Sequence, residues 1–235
     1  MNKVAVVSGG TKGIGKAVIE KLAAEGFDIF TCARNHEDLE NIKSEIEAKN
    51  TSIKVHILKS DLSNKQEVLT FGEFVNSKTE AIDILVNNTG VFVPGEIANE
   101  EEGNLEMMID TNLYSAYHLT RALLPKMIEN KSGHIFNMCS VASITAYPNG
   151  GSYCISKFAL YGMSKVLREE MKPHGIRVTS ILPGATYTAS WDGVDVPEER
   201  MMKASDVAEA LWGAYNLSDS SVVEDLVIRP QLGDL

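Results

Sequence analysis

The sequence predicts one α/β domain: a doubly wound parallel sheet with helices on both faces. Three observations predict it. Short β-rich runs alternate with longer amphipathic segments along all 235 residues, the order that makes parallel strands joined by helical crossovers. Several runs are nearly continuous in apolar residues, as strands buried on both faces require. The first run ends in a glycine-rich turn that opens a helix.

The elements follow in order. VAVVS (Val4–Ser8) is the first expected strand, and Lys16–Glu25 the first helix, stopped by Gly26. DIFTCA (Asp28–Ala33) and IKVHILK (Ile53–Lys59) are the next strands, with an amphipathic helix at His36–Lys49 between them. Gln66–Asn76 carries the helical period before IDILV (Ile82–Val86). A long helix is expected at Gly103–Ile128, then a strand at HIFNMC (His134–Cys139). Ser152–Met171 is helical in pattern, and Pro173 to Gly175 supply its stop. IRVTSIL (Ile176–Leu182) and DLVIRP (Asp225–Pro230) complete the strands. No repeat or linker divides residues 1–235, so a single domain is expected.

Composition narrows the function classes. The chain is 44% hydrophobic and 23% charged, with a net charge of -10. A strongly acidic surface argues against nucleic acid as the main partner, because phosphate binding needs a basic face. No apolar run reaches the ~18 residues of a membrane span, and the apolar part of MNKVAVVSGG is too short for a signal peptide. Cys32, Cys139 and Cys154 have no metal or redox spacing. They read as small buried hydrophobes of a reducing compartment. A cytoplasmic protein without metal is expected.

The turn SGGTKGIG places glycines at 9, 13 and 15 between strand and helix. Such glycines let backbone approach a pyrophosphate, and the helix N-terminus favours its charge. A Rossmann-type dinucleotide site is expected here. An NAD site usually has an acid at the end of the second strand to bind the ribose diol. Here that place holds Ala33 followed by Arg34, and Lys12 lies in the turn. A guanidinium can grip a 2′-phosphate with two hydrogen bonds, so NADP(H) is expected over NAD(H).

These motifs resemble the short-chain dehydrogenase/reductase family over nearly the whole chain. SGGTKGIG is similar to its T-G-x-x-x-G-x-G turn, with Ser8 for threonine. NNTG (Asn87 to Gly90) resembles N-N-A-G, with Thr89 for alanine. TNL carries Asn112, MCSVAS carries Ser140, and YCISK supplies Y-x-x-x-K at Tyr153 and Lys157. PGATYT (Pro183 to Thr188) resembles the segment that covers the nicotinamide. The resemblance implies a catalytic set of Asn112, Ser140, Tyr153 and Lys157. It implies cofactor contacts at Gly9, Thr11, Lys12, Gly13, Ile14, Gly15, Arg34, Asp61, Leu62, Asn88, Gly90, Pro183, Gly184, Thr186 and Thr188, besides Tyr153 and Lys157. Asn112 is implied to help hold a water that relays protons to Lys157.

The chemistry of these residue types agrees. Carbonyl reduction needs a hydride, a proton and stabilisation of the developing alkoxide; a nicotinamide carries the hydride. A free phenol has a pKa near ~10, and a nearby ammonium favours its anion. Residues four apart share a helix face, which places Lys157 below Tyr153. Ser140, at a strand end, can aim a second donor at the same oxygen. An NADPH-dependent carbonyl reductase is expected. A non-catalytic NADP(H) sensor is the reading from another class, and it would not need the Tyr153–Lys157 pair.

The substrate lid is expected after Gly184, beyond the carboxyl ends of the strands. Trp191, Met201 and Met202 offer an apolar wall there, and Asp192 or Asp195 a carboxylate for an amino-pyrimidine edge. SGHIF, SVAS, YCISKFAL, PGATYTASWDGVD and VVEDLVIRPQLGDL look most like the family's bacterial sepiapterin reductases. The alternative, 3-oxoacyl-(acyl carrier protein) reductase, wants a basic rim for an acidic carrier. Lys126–Lys131 and the pair Arg168 and Lys172 are its candidates. The long helices carry apolar residues on more than one face, including Leu160, Met163 and Leu167. The family pairs such helices between subunits, so a homodimer or homotetramer is expected, with a small-molecule carbonyl substrate.

Overall fold

A computed structural model describes residues 2–188 and 197–233. Strands β1 (Val4–Ser8), β2 (Asp28–Ala33), β3 (Val55–Lys59), β4 (Ile84–Asn87), β5 (Gly133–Met138), β6 (Ile176–Pro183) and β7 (Asp225–Ile228) form one sheet. Its order is β3-β2-β1-β4-β5-β6-β7, parallel at every pairing. The helices are α1 (Gly13–Ala24), α2 (His36–Lys49), α3 (Lys65–Asn76), α4 (Asn104–Ile109), α5 (Ser115–Asn130), α6 (Gly151–Met171) and α7 (Ala204–Tyr215).

The period-two alternation of a strand divides the core. In β1, Ala5 and Val7 join Val18, Ile19 and Leu22 of α1, Ile42 and Ile46 of α2, and Val207 and Leu211 of α7. Val4 and Val6 point the other way, to Val68 and Phe71 of α3, Leu119 and Leu123 of α5, and Leu167 of α6. Each fully buried side chain of this size contributes roughly 1.5–3 kcal/mol. Both faces of the sheet are thus covered, which explains the continuous apolar runs.

Three departures from the sequence expectation matter. The strand expected from Ile53 starts at Val55. The sequence reading passed over α7, although Val207, Ala208 and Leu211 have helical spacing and pack it against the α1 side of the core. The long helix expected over 103–128 is interrupted: α4 and α5 are joined by a π-helical stretch, Asp110–Tyr114, that carries Asn112. Such bulges place one extra residue in a turn and re-aim its side chain.

The winding reverses between β1 and β4, which are neighbours in the sheet. Ligands of such sheets bind beyond the carboxyl ends of the strands at this switch point.

Candidate active site

The glycine turn lies at that switch point. Gly9 and Gly13 are left-handed, with φ of 65° and 54°, conformations that a side chain would strain. A Cβ on Gly15 would stand 2.3 Å from the Gly9 carbonyl oxygen. A Cβ on Gly10 would stand 2.2 Å from both Ile19 Cδ1 and Thr31 Oγ1. Gly10 therefore lets α1 approach β2; the double glycine in SGG was its sequence signal. α1 has no acidic residue in its first turn, and its N-cap residue Lys12 makes no side-chain cap. With Thr11 before that cap and Ile14 after it, the first N–H groups face a position suited to an anion.

The turn is tied to the end of β4. Ser8 Oγ accepts the N–H groups of Asn88 and Thr89 at 2.9 and 3.0 Å. Asn88 Nδ2 donates to the carbonyls of Ser8 and Gly9, both at 3.0 Å. Thr89 Oγ1 is buried, makes no hydrogen bond among the described residues, and lies 3.1 Å from the Cβ position of Gly9. A polar ligand in the cradle would satisfy it.

The other predicted cofactor positions line the same sheet edge. Arg34 is exposed just past β2. Lys12 pairs with Asp38 of α2 at 3.1 Å, so its charge is shared with a carboxylate. Past β3, Asp61 uses Oδ1 to accept from the Ser63 N–H and hydroxyl, at 3.0 and 2.8 Å, and Leu62 is buried. Pro183 ends β6, and the Gly184 N–H donates to Ile228 O at 2.8 Å. Thr186 is buried and bridges to Met202. Thr188 reaches back over the turn: its Cγ2 is 3.0 Å from the Cβ position of Gly13.

Beyond β4 and β5 lie the four proposed catalytic residues, Asn112 from the π-helical stretch, Ser140 from just past β5, and Tyr153 and Lys157 together from α6. Lys157 is 5% exposed; its Nζ donates to Met138 O at 2.9 Å and lies 5.8 Å from the Tyr153 ring centroid. The Cβ position of Gly90 is 3.4 Å from Lys157 Nζ and 3.2 Å from Asn112 Oδ1, so a glycine separates the two groups. Ser140 Oγ accepts from the Ala142 N–H at 3.1 Å, which leaves its own hydrogen free to donate. Phe92 meets the Tyr153 ring edge-on, with centroids 4.8 Å apart. Burial pushes the Tyr147 phenol up, with Tyr153 and Cys154 adding to the shift.

Asn112 is fully buried. Its Oδ1 accepts from the Val91 N–H at 2.7 Å, and its Nδ2 donates to Val91 O at 3.0 Å and Ser156 Oγ at 2.8 Å. This amide pins the backbone after β4 to α6. The sequence reading missed Ser156, although it stands inside YCISK.

Several sequence expectations are corrected. Leu160 and Leu167 are buried within the chain, and Met163 packs on Leu160's cluster. Ile155, Phe158 and Val166 of α6, with Leu105, Tyr114 and Tyr117 of the 103–128 stretch, are exposed instead. Met201 and Met202 are buried, so they pack rather than line an open wall. Trp191, Asp192 and Asp195 lie outside the described residues. The three cysteines are buried and free, as expected; burial pushes the Cys32 and Cys139 thiols up to about 12.

Fold and site together define a dinucleotide-dependent oxidoreductase of the doubly wound class. The family model for short chain dehydrogenase matches residues 3–198, and the chain belongs to the short-chain dehydrogenase/reductase family. It is 30% identical to sepiapterin reductase of Chlorobaculum tepidum, covering 100% of this chain and 99% of that one. It superposes on the alcohol dehydrogenase of the archaeon Thermococcus sibiricus, complexed with 5-hydroxy-NADP, with a TM-score of 0.92 at 26% identity, covering 99% of this chain and 98% of that one. A metagenomic short-chain oxidoreductase in complex with NADP gives 0.84 at 30% identity, covering 97% of both chains. Among the described residues no helix is long and apolar enough to cross a membrane.

Proposed function

We propose that the protein is an NADPH-dependent carbonyl reductase whose proton donor is Tyr153. The observation that carries this reading is the buried Lys157 ammonium beneath the Tyr153 ring, beside Gly90 and one strand away from the glycine turn. The left-handed glycines, the uncapped α1 terminus and the orphaned Thr89 hydroxyl suit a dinucleotide; Arg34 and the missing acid at Ala33 suit its 2′-phosphate.

When bound, the reduced cofactor supplies the hydride. Ser140 and Tyr153 each offer a hydroxyl hydrogen to the substrate oxygen, and the charge that develops there is held by two fixed donors. Tyr153 then gives up its phenol proton. The negative charge left on that oxygen is stabilised by Lys157, whose position is fixed by Met138 O. Asn112 holds the backbone at Val91 and Ser156 of α6 at fixed separation, so Gly90 leaves space beside Nζ.

For the substrate, a ketone on a planar ring system of the sepiapterin kind is favoured. Phe92 and Tyr147 offer exposed aromatic surface beside Tyr153, and the full-length likeness to sepiapterin reductase points the same way. The carrier-protein alternative meets the wrong charge: Glu96, Glu101, Glu102 and Glu106 are exposed on the segment after Phe92. Three of its basic candidates are already engaged. Lys126 donates to Asn76 O and Thr79 O, Arg168 is buried against Asp225, and Lys172 pairs with Glu169. The exposed apolar residues Ile155, Phe158 and Val166 of α6 support a homo-oligomer.

The test is oxidation of NADPH, with NADH in parallel, against sepiapterin, an acetoacetyl thioester and a simple diketone. Selectivity for sepiapterin supports the reading. Preference for the thioester would replace the substrate, and turnover by Tyr153→Phe at the wild-type rate would remove the proposed proton donor.

A further inference from the structure

We propose that Glu100 is a positioning residue for Tyr153, acting through the first turn of α6; this rests on Tyr153 being the proton donor. Tyr153 stands in that first turn, where helix N–H groups lack partners within the helix. The N-cap residue, Gly150, has no side chain to cap them, and the turn contains no acidic residue. Glu100 supplies the cap from outside the helix. Its Oε1 accepts from the Ser152 hydroxyl and its Oε2 faces the Ser152 N–H at 3.4 Å. Ser152 is 1% exposed and Glu100 half-buried, so the serine side of these contacts is shielded from water. A carboxylate at a helix N-terminus is also favoured by the helix dipole.

Backbone contacts make the same link independently. Gly95 bridges Gly150, and its N–H donates to Asn149 O at 3.0 Å. The Gly95 carbonyl oxygen lies 2.7 Å from the Cβ position of Gly151, and Glu100 Cβ lies 2.8 Å from that of Gly95. Side chains at 95 or 151 would push the two segments apart. The segment 91–100 is therefore held at both ends, by Asn112 at Val91 and by α6 at Gly95 and Glu100. Between them Phe92 rests on the Tyr153 ring.

This arrangement fixes the base of the Tyr153 side chain through Glu100 and its ring through Phe92. The reacting oxygen is at the far end of the phenol, so a small tilt of the first turn is magnified there. A misplacement of ~1 Å can cost about a hundredfold in rate.

The experiment compares the full-length wild type with Glu100→Ala, Glu100→Gln, Ser152→Ala, the Glu100→Ala/Ser152→Ala double variant and Tyr153→Phe. Turnover is measured with NADPH and the simple diketone, NADPH affinity by fluorescence, and amide hydrogen exchange over 150–156. Glu100→Ala and Ser152→Ala are each expected to lower kcat about tenfold with NADPH affinity unchanged, and the double variant to fall no further. Glu100→Gln keeps an acceptor for the Ser152 hydroxyl and is expected to restore kcat to within about threefold. Exchange in the first turn of α6 is expected to quicken about tenfold in Glu100→Ala. Wild-type kcat and exchange in Glu100→Ala would overturn the proposal, as would a glutamine variant as slow as the alanine one. Retained turnover in Tyr153→Phe would instead overturn the parent reading, while exchange still reports on the clamp.

Discussion

Replacing His134 by glutamine is expected to remove about 2 kcal/mol of acid sensitivity from the fold. His134 lies in β5 with no exposed surface. Its ring stacks on Phe136 at 3.9 Å between centroids. Thr179 Oγ1 donates to Val223 O, so it accepts from His134 Nε2–H at 2.7 Å. The proton is thereby assigned to Nε2. Nδ1 is buried and has no partner among the described residues, so a second proton there would be a buried donor with nothing to receive it. Burial, with a smaller contribution from Arg177, lowers the pKa from 6.5 to about 3. Between those values the unfolded chain binds a proton that the folded chain refuses. Stability therefore rises with pH across this window and is lost as pH falls below 6.5.

At about pH 5 the unfolded imidazole lies ~1.5 units inside its protonated range, worth about 2 kcal/mol at ~1.4 kcal/mol per unit. With a urea slope of ~2 kcal/mol/M this is a midpoint change of ~1 M. Urea unfolding of wild type and His134→Gln at about pH 8 and about pH 5, at one protein concentration, reads it. His56 and His118 are shifted the same way, chiefly by burial, but they are common to both proteins. The wild type should lose about 2 kcal/mol more than the variant. Parallel pH profiles would refute the reasoning, as would an imidazole resonance of His134 that titrates near 6.5 in the folded wild type.

Other outcomes follow from the same structure. Tyr153→Phe removes only the phenol hydroxyl and should abolish turnover while leaving NADPH affinity within about twofold, since the glycine turn is untouched; equilibrium binding and turnover in one preparation check it. Arg34→Asp should weaken NADPH binding by about tenfold or more and favour NADH, because one charged hydrogen bond contributes ~1.5–3 kcal/mol; the ratio of kcat/KM for the two cofactors reads it. Arg168→Met should cost about 3 kcal/mol. Arg168 is 4% exposed and bonds Asp225 at 2.9 Å, Ser180 and Val178 O, tying β7 to α6. Burial raises the Asp225 carboxyl, but bonds from Arg168, Tyr161 and Ser180 outweigh it and hold it below 3.8. That pair's stabilisation should be present above 3.8, fade as pH falls through the lowered folded value, and be absent from the variant's acid unfolding curve.

The sequence by itself determined the sheet, the glycine turn and the family. Strand and helix periods are local, and left-handed glycines such as Gly9 and Gly13 are marked by composition alone. The motif intervals also singled out Ser140, Tyr153 and Lys157 as candidates, which lie beyond the carboxyl ends of β4 and β5. Only the tertiary structure decided which groups are free and which are spent. Lys12 reads as a free cation until α2 delivers Asp38 to it. Arg168 and Lys126 read as a basic rim until β7 and the end of α3 take up their donors. Leu160 and Leu167 read as interface residues until the sheet covers them. Glu100 reads as one acid among many until the segment after β4 brings it to Ser152. In each case the partner lies many residues away in sequence. Local periodicity records which face a residue occupies, not what another element will place against it.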